Sequence, residues 1–260
     1  MMWVRSADWL YKVSSTTASS YALAEGCIDS WEVIPWDEPV PGFSPCVALH
    51  SLHLAKCASN EWVDDEIMNA GLDFITCQLG EGSRILVANC LLLPYLRISW
   101  QRGQYRSPCG SRLDAAVIAD TVDEIHFPVH VHGNHWTLLT LNVHDCSYSY
   151  TDSRDPDAMP PTDVPDLLVW WLRSLSHSLY TNTTAELFLD EAPYDAPSQT
   201  DNHSCGIVVL STLAAYLLEY EPWSQDEAAT HRLLWYARLS EALQDDTEVC
   251  ILSHKAEDRN

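Results

Sequence analysis

Four residues of this chain have the types and settings that acyl-transfer chemistry needs. Cys205 ends the polar, Pro-bounded loop from Pro197 through Ser204 and opens a run that is apolar nearly all round, which predicts a buried helix with the thiol at its start. There the positive end of the helix dipole favours the thiolate, the nucleophilic form of cysteine. Gly206 beside it removes bulk where a substrate carbonyl must approach. A helix-start cysteine by itself equally suits a small core residue, so the assignment depends on partners. His135 opens one predicted strand and Asp152 closes the next, and an antiparallel pair can carry two such residues to the same end of a sheet. An imidazole that takes the thiol proton and a carboxylate that fixes its tautomer are what a cysteine nucleophile requires. Gln199, six residues before Cys205, can return its amide toward the oxygen that the Cys205 backbone N–H would face. Such an oxyanion hole is worth about 10²- to 10³-fold in rate.

The elements that must position these groups are legible in the apolar spacing. Val63, Ile67, Ala70, Phe74 and Cys77 predict a helix over Asn60 to Gln78, with Asp64, Asp65 and Glu66 in its first turn. Trp62 lies off that stripe, on a row with Glu66, Asn69 and Asp73. It either faces solvent at the helix start or tucks beneath the preceding Pro-rich segment. Arg84 to Leu96 reads as a buried strand or a short helix. Ile125 to Val131, His135 to Val143 and Ser147 to Thr151 read as an antiparallel meander whose middle strand is buried. Helices follow over Val164 to Tyr180, with Pro165 suited to a first turn, over Gly206 to Glu219, and from Ser224, where Glu227 completes capping-box spacing. Arg97, Arg102, Arg106 and Arg112 form a locally basic stretch that reads as a solvated loop rather than a docking loop.

Composition narrows the function classes. The 260 residues are 47% apolar, and 14 Lys plus Arg stand against 37 Asp plus Glu, a formal charge of −23. Such a surface disfavours nucleic acid and suits a partner with a basic patch. The N-terminal residues contain no apolar block of the signal-peptide kind. The longest nearly apolar run, Gly206 to Leu218, has 13 residues, short of the roughly 18 to 20 that cross a bilayer. Nine dispersed cysteines without a CxxC pair read as reduced thiols, one of them a nucleophile. An intracellular protein, nuclear or cytoplasmic, is expected, with no membrane partner and a monomeric state. Residues 1–50 read as a Pro- and Trp-rich extended arm, 51–220 as the catalytic domain and 221–260 as a helical extension packed on it.

With these residues in view, the chain resembles the ubiquitin-like-protein-specific cysteine proteases of the SUMO protease (Ulp1/sentrin protease) group. Four segments, spread over Glu61 to Leu218, follow the family's order. Glu61-Trp-Val-Asp-Asp-Glu-Ile67 looks like its Trp-Leu-x-Asp-x-x-Ile helix. Ile125-His-Phe-Pro128 followed by His135-Trp136 looks like its strand and His-Trp; Tyr150-Thr-Asp-Ser153 looks like its Asp-Ser; and Gln199 to Gly206 looks like its Gln and nucleophile segment. The resemblance implies an α+β, papain-like cysteine peptidase fold: a central mixed β-sheet flanked by helices, with the nucleophile at the N-terminus of a buried helix. It implies His135, Asp152 and Cys205 as a triad, Gln199 as oxyanion donor, and a substrate contact made by Trp62, Asp64, Trp136 and Gly206. The two tryptophans would enclose a narrow tunnel for a Gly-Gly tail. The expected reaction is cleavage after the C-terminal Gly-Gly of a ubiquitin-like modifier, SUMO first, without metal or organic cofactor. The chain departs from the family at Ser204, where Asp is usual.

Other readings stay open on the residues alone. The same scaffold could act on NEDD8 or ubiquitin, transfer an acyl group to an amine, or bind a modifier without chemistry. His126, His130 and His132 share strand parity, with His135 nearby, which could mark a zinc site.

Overall fold

The computed structural model describes residues 2–15, 18–33, 37–44, 47–107, 112–175, 187–195 and 197–241. The chain divides into two compact units, one made of Met1–Leu79 with Gln199–Asn260 and the other of Gly80–Ser198. The architecture is α+β with a mixed sheet, as expected from sequence.

In the sheet unit, strands β1 (Ile85–Val87), β2 (Glu124–Val131), β3 (His135–Asn142), β4 (Ser147–Thr151) and β5 (Phe188–Leu189) pair in chain order. β1 runs parallel to β2, β2–β3–β4 form the antiparallel meander, and β5 runs parallel to β4. The meander forms because apolar residues fill both faces of β3, whose first seven residues are all buried. The turn between β2 and β3 needs left-handed backbone at His132 (φ +54°) and Gly133 (φ +76°), which glycine adopts freely and histidine less so. Arg84 to Leu96 turns out to hold both predicted elements, β1 and the start of helix α5 (Leu92–Gln101). Within this unit α5 and the short helix α6 (Arg112–Ile118) both pack on helix α7 (Val164–Leu175), and Arg97 of α5 pairs with Asp163 just before α7, Nε to Oδ2 at 2.6 Å. Pro165 lies in the first turn of α7, as expected; the predicted continuation over 176–180 lies outside the described residues. Phe127 meets Trp171 edge to face at 6.1 Å, closing the sheet onto α7.

The other unit is helical. Helix α4 (Asp65–Leu79) lies against helix α8 (Cys205–Leu218). Gly71 makes that approach possible, since a Cβ there would meet the Leu210 methyls at 2.7 Å. α4 starts five residues later than the spacing predicts. Asp64 is outside the first turn: its Oδ1 accepts the Ile67 N–H at 3.2 Å and its carbonyl the Met68 N–H, and Trp62 lies in the irregular segment that precedes α4. The buried face runs through Ile67, Met68, Gly71, Leu72 and Ile75, so the predicted stripe holds at its start and fails at Cys77, which is exposed.

The extended-arm reading of residues 1–50 is corrected: helices α1 (Met2–Ser14) and α2 (Ala18–Val33) occupy most of it. Their buried positions, Ser6, Leu10 and Val13, then Ser20, Ala24 and Cys27, follow helical spacing but are mostly small or polar, so apolar periodicity hides them. The Ser6 hydroxyl donates to the Ala55 carbonyl at 2.7 Å, on helix α3 (Ser51–Cys57). A 3₁₀ turn at Gln225–Glu227 precedes helix α9 (Ala228–Glu241), which packs on α2, α3, α4 and α8. The compact units therefore cut across the sequence-based boundaries at 50 and 220. Residues 242–260 of the predicted extension lie outside the described residues. No helix among the described residues is long and apolar enough to cross a membrane.

Candidate active site

In the sheet unit, Thr151 pairs with Leu138, so the chain leaving β4 runs beside the start of β3. This register brings His135 and Asp152 together, His135 Nε2 lying 2.7 Å from Asp152 Oδ1. Both side chains are largely shielded from water. Burial alone would raise the Asp152 carboxyl, but the His135 hydrogen bond and the Arg154 amide, which donates at 2.8 Å, outweigh it and hold Asp152 below the usual carboxylate range. Trp136, the next residue of β3, is 6% exposed and lies against the His130 ring at a centroid distance of 4.5 Å.

In the helical unit, Cys205 is the first residue of α8 and is 2% exposed, with Gly206 buried behind it. The turn into α8 is built by a residue that the motif reading passed over. Asp201 Oδ1 accepts the N–H of His203 at 2.9 Å and of Ser204 at 2.7 Å, and Oδ2 accepts Gln225 Nε2 at 3.1 Å. Burial opposes ionisation of Asp201, but these donors prevail and lower its carboxyl to about 2. Ser204, at the N-cap, makes no side-chain cap, so Asp201 supplies the anion at the helix start. Gln199 is buried and its Nε2 donates to the Asp201 carbonyl at 2.8 Å, which fixes the orientation of the amide. Trp62, 50% exposed, donates from Nε1 to the Asn202 carbonyl of the same loop at 2.6 Å.

Comparison with known proteins adds to this geometry. A sequence profile of the Ulp1 protease family, C-terminal catalytic domain, matches residues 61–246. The chain belongs to the Ulp1 protease family. It is therefore a cysteine protease. The fold is similar to that of the SUMO protease Ulp1 with its catalytic cysteine oxidised to a sulfinic acid, at TM-score 0.59 and 14% identity over 84% of this chain and 95% of that one. The C-terminal Ulp1 protease domain in complex with SMT3, the yeast ortholog of SUMO, gives TM-score 0.59 and 14% identity over 84% and 96%. A de-sumoylating protease gives TM-score 0.55 and 11% identity over 82% and 91%. No curated protein matches in sequence.

Two further sequence expectations meet specific surroundings in this Ulp1-family domain. Asp64 is engaged internally: its Oδ2 takes the Lys56 ammonium and lies 2.6 Å from His53 Nδ1. Burial pushes its carboxyl up, and Lys56, His53 and the Ile67 amide together bring it below the usual range. The strand histidines do not gather as metal ligands among the described residues. His126 is buried at 2.9 Å from Thr140 Oγ1, and burial lowers it to about 3, whereas His130 faces outward on Trp136.

Asp201 yields a prediction with a defined sign. Its carboxyl is depressed in the folded chain, so its stabilisation is complete above the unfolded carboxylate pKa of about 4 and is lost as pH falls toward about 2. Asp201→Asn is expected to lower stability at neutral pH by on the order of 1 kcal/mol after solvent screening, and the gap from the unsubstituted chain should close as pH falls through about 2. Urea unfolding across that range measures it; a gap that stays constant with pH would contradict the role given to Asp201.

Proposed function

We propose that this chain cleaves the amide or isopeptide bond that follows the C-terminal Gly-Gly of a ubiquitin-like modifier, with SUMO as the first candidate. The observation that carries the reading is the His135–Asp152 pair, at 2.7 Å, within a match to a cysteine protease family that also spans Cys205. Cys205 Sγ attacks the carbonyl carbon of the terminal glycine. With His135 Nε2 engaged by Asp152, Nδ1 is the nitrogen that takes the thiol proton. The oxyanion draws hydrogen bonds from the Cys205 N–H and the Gln199 amide. The tetrahedral intermediate collapses to a thioester, and the departing amine leaves with the proton from His135. Water, deprotonated by His135, then hydrolyses the thioester and frees the modifier carboxylate and the thiol.

Trp62 and Trp136 bound the path of the Gly-Gly tail, where flat aromatic walls admit a chain without side chains and exclude larger residues. Gly206 leaves room for the scissile carbonyl. Asp64 contributes through the helix start that follows Trp62. The choice of SUMO is supported by the named partner of a structurally similar protease, SMT3.

The test exposes the protein to SUMO, NEDD8 and ubiquitin, each capped with a C-terminal electrophile, and reads adducts by intact mass. One adduct with SUMO is expected, and Trp62→Ala or Trp136→Ala should slow its formation at least about 10-fold without matching loss of thermal stability. Adducts with NEDD8 or ubiquitin alone would reassign the substrate. No adduct with any of the three would overturn the choice of a ubiquitin-like modifier as substrate.

A further inference from the structure

Helix α9 carries a buried cation that the chemistry above does not use. Arg232 is 1% exposed. Its Nη1 donates to the carbonyls of Lys56 at 3.1 Å and Ser59 at 2.6 Å. Its Nη2 donates to the carbonyls of Glu61 at 3.1 Å and His203 at 2.6 Å, with His203 Nδ1 at 3.3 Å. These acceptors belong to two stretches far apart in sequence. Residues 56–61 lead directly into Trp62, and His203 is two residues before Cys205. The Trp62–Asn202 hydrogen bond joins the same two stretches. On its other side the first stretch is held by α1, where Arg5 pairs with Glu61 at 2.9 Å and Trp9 Nε1 donates to Asn60 Oδ1 at 2.8 Å.

A guanidinium is costly to bury unless its donors are met, and the two Nη atoms of Arg232 meet several fixed acceptors at once while its Nε has none among the described residues. Here the acceptors of its hydrogen bonds are carbonyl oxygens and a ring nitrogen, so no carboxylate among them cancels the charge. Cys57, Asp201 and Cys205 lie within its electrostatic reach, and His231 and Arg238 share its helix. Burial first and Arg232 second lower the His203 imidazole toward its neutral form, against the pull of Asp201.

We propose, on the reading of Cys205 as nucleophile, that Arg232 is a positioning residue: its guanidinium sets the placement of the Trp62 stretch against the nucleophile loop. Lysine keeps a cation but cannot bridge four carbonyls, and glutamine keeps polar contacts without the charge.

The experiment measures turnover of a modifier–fluorophore substrate by the full chain, beside thermal melts and hydrogen exchange over residues 56–62 and 199–205. For Arg232→Lys, kcat should fall about 10- to 100-fold with KM little changed, and amide exchange in both stretches should rise. Undiminished turnover in Arg232→Lys overturns the positioning role, and Arg232→Gln, measured in the same way, decides if Arg232→Lys does not fold. Hydrogen exchange needs no modifier. Faster exchange confined to the two stretches in a protein that ignores every capped modifier would therefore reject the proposed substrate and uphold the anchoring by Arg232.

Discussion

Cys205→Ala is expected to reduce turnover of a modifier–fluorophore substrate by at least about 10⁵-fold while leaving modifier affinity within about twofold. The rate effect is large because no neighbouring group can replace the thiol in forming the thioester, and water at the same carbonyl lacks both its nucleophilicity and its placement. Retained affinity follows from the substitution itself. Cys205 is nearly fully buried at the start of α8, alanine is the best helix former, and one sulfur atom is a small loss of core volume. Stopped-flow turnover with titration calorimetry reads both quantities, and a thermal melt shows that the fold is kept. Cleavage at an undiminished rate would remove Cys205 from the nucleophile position.

His135→Ala and Asp152→Asn form the second expected result, and they should differ. Removing the imidazole is expected to lower kcat by about 10⁴-fold or more, because both proton transfers lose their carrier. Asp152→Asn retains an oxygen in place but loses the negative charge, and should cost about 10³- to 10⁴-fold through the wrong tautomer and an unstabilised imidazolium. Stability adds an independent check. The Asp152 carboxyl is depressed when folded, burial being outweighed by His135 and the Arg154 amide, so its contribution is present above the unfolded carboxylate range and disappears as pH falls through the folded value. Asp152→Asn should therefore destabilise the chain at neutral pH and match it in acid. Two variants with equal, modest rate losses would mean that His135 and Asp152 do not work as a pair.

Much of the fold that carries these groups is legible locally. The meander is predicted to within one residue at most strand ends, because alternation and the His132-Gly133 turn are properties of short stretches. The helix that begins at Cys205 follows from an apolar run too continuous to lie at a surface. The N-terminal helices escape the same reading, since their buried faces use Ser6, Ser20, Ala24 and Cys27 in place of large apolar residues. Asp64 carries no local sign of Lys56 and His53, because the ion group exists only once α3 meets the start of α4.

By itself the sequence determined the chemical inventory, a thiol at a helix start and an imidazole and a carboxylate at strand ends, because residue type and short-range periodicity are local properties. The packed structure alone decided what holds each of them. Asp201 becomes the anion at the start of α8 through the turn it closes, and Arg232 becomes an anchor by bonding carbonyls 171 to 176 residues away along the chain. Contacts of that separation are selected by burial, where an unmet donor or charge is costly, and burial is settled only when the whole chain has packed.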